Sequence, residues 1–295
     1  MISTTLRAPA KLNLLLAVQS EVVGGKHLLT TVFVTIDLAD VLTFSFDDSQ
    51  PRALTLKMSG TSGVELPEIA PEDNIVYVAV ETMERLSARR LEGQLHIHIE
   101  KHIPHQGGLA GGSTDAAATL RFIAGLWGMP LSDPLLATAA QKLGADVAFF
   151  LHGGCALMEG SGEKLVRRLP MPALDIVLVK PPGGVATGEA YRAFDANPQP
   201  VPRAEHLVSL LEAPGASPKH LAAALENNLY PAACSLMPTL GALISEIMEE
   251  WGVCAALLAG SGSVVFGVCE NAEAAARVAA RFAEQGYWTK ACKTA

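Results

Sequence analysis

Between Lys101 and Leu120 the chain reads KHIPHQGGLAGGSTDAAATL, with four glycines (Gly107, Gly108, Gly111, Gly112) inside six positions. Before this run, Leu95, Ile97 and Ile99 alternate with Gln94, His96, His98 and Glu100, the pattern of a half-buried strand. After it, Ala116 to Leu126 has the composition of a buried helix, with Ser113, Thr114 and Asp115 in front to supply caps and first-turn negative charge. Strand, glycine loop and helix N-terminus together make an anion cradle. Glycine lets backbone N–H groups converge without side chains in the way, and the helix end adds partial positive charge. The expected guest is a phosphate. The alternative is a strand-to-helix turn with no ligand.

A Walker A loop needs a lysine directly after its last glycine, where this chain has Ser113. The spacing of a dinucleotide fingerprint also fits poorly. The segment instead resembles the glycine-rich motif of the GHMP kinases, Pro-x-x-x-Gly-Leu-Gly-Gly-Ser-Ser followed by an acid or amide and two alanines. Pro104, Gly108, Leu109, Gly111, Gly112, Ser113, Asp115, Ala116 and Ala117 meet that pattern. Two further segments carry isolated charges in apolar surroundings: Lys11 within APAKLNLLL from Ala8, and Asp146 within GADVAFF from Gly144. A buried charge is costly without a partner, so each residue either pairs structurally or works. Both segments resemble the branch of the GHMP kinases that phosphorylates a cytidine diphosphate-linked methylerythritol, with Ala148 in place of that branch's proline. PPGGVAT from Pro181 with the following Ala190-Tyr191, ENNL from Glu226 and LAGSGSVVFG from Leu258 extend the resemblance to about residue 267.

The resemblance implies ATP-dependent phosphoryl transfer to the 2-hydroxyl of that small molecule, a step of non-mevalonate isoprenoid precursor synthesis. It implies that Pro104, His105, Gln106, Gly107, Gly108, Leu109, Ala110, Gly111, Gly112, Ser113 and Thr114 wrap the ATP phosphates, with Lys101 and Asn74 bordering the nucleotide. Asp146 would accept the hydroxyl proton, and Lys11 would hold Asp146 ionised and stabilise the growing negative charge. Asn13, His27, Thr187 and Tyr191 would contact the substrate. Mg²⁺ is expected with ATP, and no protein ligand is assigned to it. In the GGKHLL stretch from Gly24, Lys26 stands where the branch has a tyrosine against cytosine. Lys26 reads either as a ligand or as a solvated loop lysine. A lysine cannot stack as a phenol does, which keeps two alternatives open: a GHMP kinase acting on a different alcohol, and a ligand-binding relative that has lost turnover. Lys11 and Asp146, both present, speak against the second.

Composition fits a soluble enzyme. A net charge of −8 excludes a general nucleic-acid binder, and no apolar run reaches membrane-helix length. Five cysteines without CxxC spacing read as free thiols in a reducing cytoplasm, and no signal pattern opens the chain. A monomer or homodimer is expected. His96, His98, His102 and His105 crowd ten residues but lack a completing metal-ligand set, so they read as solvated positions. Gly260-Ser261-Gly262-Ser263 reads equally as a second phosphate nest or as a tight turn feeding a buried strand.

Strands are expected at 31–36, 41–46, 54–58 and 176–180, and helices near 74–87, 237–251 and 270–285. Segregated strands and helices in both halves indicate an α+β chain. The expected division is 1–160, an N-terminal ATP-binding domain, and 161–295, a C-terminal domain. By resemblance the first is ribosomal-protein-S5-like and the second ferredoxin-like.

Overall fold

The computed structural model describes residues 1–61, 63–66 and 68–295. Strands β1 (Ile2–Val23), β2 (Lys26–Asp47) and β3 (Ala53–Gly60) come first, then helix α1 (Ile75–Ser87) and strand β4 (Gln94–Lys101). Helices α2 (Gly111–Leu126), α3 (Pro134–Leu143) and α4 (Ala145–His152) follow, then strands β5 (Cys155–Glu159), β6 (Lys164–Leu169) and β7 (Asp175–Lys180). Next are α5 (Thr187–Ala196), α6 (Ala204–Glu212), α7 (Pro218–Ala222), the two-residue strand β8 (Glu226–Asn227), α8 (Tyr230–Leu236) and α9 (Thr239–Met248). Strands β9 (Val253–Leu258) and β10 (Val265–Cys269), helix α10 (Ala272–Glu284) and strand β11 (Trp288–Lys293) complete the chain. No helix among the described residues is long and apolar enough to cross a membrane.

The chain forms two compact units, each assembled from separated segments: Met1–Ala10, Leu38–His105 and Ala110–His152 in the first, Lys11–Asp37, Gln106–Leu109 and Gly153–Ala295 in the second. Strands β1 and β2 therefore contribute residues to both. The strands expected separately at 31–36 and 41–46 are one, β2. No glycine or proline interrupts the sequence from Lys26 to Asp47, so nothing ends the extended run.

In the first unit, β4 pairs antiparallel with the end of β2 and parallel with β3, and α1 makes the crossover between the two parallel strands. Leu95, Ile97 and Ile99 point inward as the alternation required. Phe44 and Phe122 stack with ring centroids 4.3 Å apart in this core. Asn74 caps α1 by accepting the Val76 N–H, and Asp133 caps α3 through the Leu135 N–H.

In the second unit, β7, β9, β10 and β11 form an antiparallel sheet in the order β11-β7-β10-β9. Numbered within that sheet, the order is four-one-three-two, with α10 between the last two strands. This is the ferredoxin-like arrangement. Phe194, Leu243, Ile247, Val278 and Phe282 pack in the same core as Val177, Val179 and Val265. The ENNL segment from Glu226 does not itself open a helix: Glu226 and Asn227 pair with Leu15 and Leu16 as β8, and α8 starts at Tyr230. Asn227 accepts the Leu229 N–H, so its side chain turns the chain instead of extending the helix.

Candidate active site

The first unit holds the strand-to-helix passage. Helix α2 starts at Gly111, so Ser113 and Thr114 lie inside its first turn rather than before it. Ala110, in the left-handed region at φ 60°, takes the N-cap position, and no side chain caps the helix. Thr114 N–H closes the first turn on the Ala110 carbonyl at 3.0 Å, leaving the Gly111, Gly112 and Ser113 N–H groups as the helix's own uncapped donors. Asp115 is buried in the second turn, and the first turn contains no acid, contrary to the capping expected of Ser-Thr-Asp. The helix begins early because glycine fits where a larger residue does not. A Cβ on Gly111 would sit 3.1 Å from Ile103 Cγ2 and 3.3 Å from Lys101 Nζ. The outcome suits an anion: donors and positive dipole, with no first-turn carboxylate.

Lys101 continues the inward parity of Leu95, Ile97 and Ile99 and is buried with them. Its ammonium bonds Asp40 Oδ2 and, at 2.7 Å, Asp115 Oδ2. Burial pulls the Lys101 ammonium down, but the two acids outweigh it and hold the group above the ordinary lysine range. Asp115 is pushed up to about 8, chiefly by burial and then by Asp40, against the opposing pull of Lys101. Asn74, expected beside the nucleotide, uses its Oδ1 as the α1 cap. Asp146 lies half-buried in the first turn of α4, directly after Gly144 ends α3. Pro104 is buried and His105 exposed.

The second unit contains the middle of the glycine loop. Gln106 and Gly108 have φ of 52° and 74°. Ser263 N–H donates to the Gln106 carbonyl (3.0 Å), Val264 N–H to Gly107 (3.3 Å) and Lys11 N–H to Leu109 (3.2 Å). A Cβ on Gly108 would fall 2.7 Å from the Ala259 carbonyl carbon and closer still to its oxygen. The Gly260–Ser263 turn thus spends the N–H groups of Gly262 and Ser263 on Ala259 and Gln106, the tight-turn alternative. The Gln106 side chain lies over Gly184, where an added Cβ would meet Oε1 at 2.5 Å.

Lys11 and Asn13 are buried neighbours on one face of β1. Lys11 Nζ donates to Asn13 Oδ1 (2.8 Å) and sits 4.9 Å from the Phe33 ring centroid. Asn13 Nδ2 donates to Thr31 Oγ1 (2.8 Å), which donates to the Leu15 carbonyl (2.6 Å). The ammonium is therefore aimed by a three-residue chain of bonds across β1 and β2. His27 and Tyr191 do meet: their ring centroids are 5.2 Å apart. Both His27 ring nitrogens face acceptors, Nδ1 the Gln19 carbonyl at 2.8 Å and Nε2 the Asp195 carboxylate at 3.0 Å. Thr187 opens α5, with Oγ1 3.0 Å from Ser261 Oγ. Lys26 is exposed and helps, after hydrogen bonds from Ser161, to hold the Glu163 carboxyl below its ordinary value against the opposing effect of burial.

Sequence reasoning missed Asp40, Thr31 and Asp195. Asp40 had a signal: it shares the inward parity of Leu38, Leu42 and Phe44 in an apolar strand. Thr31 and Asp195 carry none, since a strand threonine and an acid on a surface helix are ordinary there. Three histidines of the crowded stretch find neighbours on their own sheet: His96 bonds Thr55, His98 bonds Ser59 at 3.0 Å and His102 pairs with Glu100 at 3.1 Å.

Known proteins with the same features make the relationship explicit. The GHMP kinase N-terminal domain family matches residues 74–154 and the GHMP kinase C-terminal family residues 207–287. A 4-diphosphocytidyl-2-C-methyl-D-erythritol kinase of Pelotomaculum thermopropionicum is 38% identical over 283 residues, covering 96% of this chain and 94% of the relative. Its counterpart in Moorella thermoacetica is 39% identical, covering 95% of each. A crystal structure of a 4-(cytidine 5'-diphospho)-2C-methyl-D-erythritol kinase superposes with a TM-score of 0.77 at 31% identity, over 99% of this chain and 100% of that one. Homoserine kinase from Cytophaga hutchinsonii shares the fold at 19% identity, with a TM-score of 0.72 over 99% of this chain and 94% of its own. The chain is a GHMP kinase and belongs to the 4-diphosphocytidyl-2-C-methyl-D-erythritol kinase family.

Proposed function

We propose that this enzyme transfers the γ-phosphoryl group of ATP to the 2-hydroxyl of 4-diphosphocytidyl-2-C-methyl-D-erythritol. The observation that carries this reading is the 38% identity to a kinase so named, sustained over 96% of the chain. The local structure supplies the parts. The Gly111, Gly112 and Ser113 N–H groups at the α2 N-terminus, with the loop from Pro104, hold the nucleotide phosphates. Mg²⁺ enters as part of the Mg·ATP substrate, neutralising phosphate oxygens. Asp146 takes the proton of the acceptor hydroxyl as its oxygen attacks phosphorus. Lys11, aimed by Asn13 and Thr31, stabilises the negative charge that develops on the transferred group. His27, Tyr191 and Thr187 receive the cytidine end, and Lys26 stands beside it without a stacking face. The reaction is cytoplasmic, carried out by a monomer or homodimer.

The test is ADP release from Mg·ATP with the purified cytidyl substrate, comparing wild type with Lys26→Tyr. Turnover by the wild type, with KM for the cytidyl substrate about 5- to 150-fold lower in the tyrosine variant, is the expected result, since base stacking is worth about 1–3 kcal/mol. Turnover by neither protein would sink the substrate assignment and favour a different acceptor alcohol.

A further inference from the structure

The first unit buries an ammonium and two carboxyls together where β4 ends and α2 begins. Lys101 Nζ donates to Asp40 Oδ2 and Asp115 Oδ2. The other Asp40 oxygen accepts the His102 and Ile103 N–H groups at 2.6 and 2.8 Å, fixing the backbone that leaves β4. Asp115 Oδ1 is buried with no partner. Two acids against one base leave a net negative charge if all three ionise, which burial strongly disfavours. Both carboxyls sit against the same ammonium, and Asp115 Oδ1 has no donor to stabilise a second negative charge, so the cluster favours keeping one carboxyl protonated.

We propose that Asp40, Lys101 and Asp115 form a positioning triad that sets the first turn of α2 against the end of β4, and that it does so as a neutral cluster retaining one carboxyl proton. This rests on the reading of that turn as the phosphate site. Lys101 Nζ lies 3.3 Å from where a Gly111 Cβ would be, so the triad packs directly under the helix's first residue. Neutrality has a use there. An extra buried negative charge one turn into the helix would offset the positive dipole that attracts phosphate. The raised value of Asp115, about 8, agrees with the retained proton. Lys101 on β4 and Asp40 on β2 are the charged groups acting on it.

The experiment compares Asp115→Asn, Asp115→Ala and Lys101→Met with wild type by calorimetric titration with Mg·ATP and by steady-state kinetics. Asp115→Asn, neutral and of the same shape, should keep ATP affinity within about threefold. Asp115→Ala should weaken ATP binding and raise its KM by about tenfold or more while kcat changes less than about threefold, the mark of lost positioning rather than lost chemistry. Lys101→Met, which strands two buried acids, should be worse than either. Equal damage from Asn and Ala, or unchanged ATP affinity in Asp115→Ala, overturns the proposal. If Asp115→Ala is not recovered folded, ATP affinity against pH decides: it should fall in the wild type as pH rises through about 8 and stay level in Asp115→Asn. A level wild-type profile refutes the neutral cluster. Because ATP titration needs no acceptor, a wild type that binds ATP but does not phosphorylate the cytidyl substrate refutes the substrate assignment alone.

Discussion

Gly108→Ala tests most directly how the middle of the glycine loop is held. The new Cβ would lie 2.7 Å from the Ala259 carbonyl carbon, closer to its oxygen, and 3.2 Å from Gly262 N. All three are backbone atoms, so no side chain can rotate aside. Relief requires the loop and the Gly260–Ser263 turn to separate by on the order of 1 Å, which stretches Ser263 N–H to Gln106 and Val264 N–H to Gly107. Holding alanine at φ 74° adds about 1 kcal/mol, the overpacking about 1–3, and two weakened backbone bonds about 1 more. The sum is about 3–5 kcal/mol, or roughly 5–8 °C in Tm by thermal scanning with circular dichroism. The paired control is Gly112→Ala, whose Cβ would meet only Ile75 Cγ2 at 3.5 Å, an ordinary contact. It should melt within about 2 °C of wild type while still crowding the phosphate donors. A Gly108→Ala protein that melts with the control, at wild-type KM for ATP, would refute the claim that close backbone approach sets this loop.

Asp146→Asn should lower kcat at least about 100-fold and leave the ATP dissociation constant within about threefold, read by single-turnover ADP release and calorimetry; near-wild-type turnover removes Asp146 as the base. Asn228→Ala should cost about 2–4 kcal/mol in urea unfolding. Its amide spans the N–H and C=O of Val18 at 2.8 Å each and reaches the Pro200 carbonyl at 3.2 Å, and alanine leaves all three unpaired. Stability should also carry an Asp115 signature. Its folded value, about 8, is raised above the ordinary 3.8, so its contribution is complete below the carboxylate range and is lost as pH rises through 8. In that window the folded state keeps a proton the unfolded chain has released, which lowers stability by up to about 1.4 kcal/mol per pH unit. Asp115→Asn should remove that slope, measured as the wild-type-minus-variant difference at pH 5.5, 6.5 and 7.5; a constant difference argues that Asp115 is ionised throughout.

The sequence by itself determined what depends on local pattern and on residue type. Period-two alternation placed β4 and its buried face, and the glycines announced a loop through which backbone N–H groups are exposed. The apolar settings of Lys11 and Asp146 marked them as charges needing a reason, and the α+β class followed from segregated strands and helices. Tertiary structure decided what depends on partners distant in the chain. Nothing local says that Lys101 lies between acids 61 residues before it and 14 after it, because a single buried charge looks the same whether it meets a ligand or a carboxylate. The absence of a cap on α2 is of the same kind. Ser113 and Thr114 are good capping residues, but close packing of Gly111 on Ile103 starts the helix before them. Likewise His27 and Tyr191 were legible as residues, while Asp195, which takes the imidazole Nε2, was fixed only when α5 folded against β2. Alternation and turn chemistry act over a few residues and survive in the sequence; charge pairing and close approach act through space, and only the fold supplies the distances.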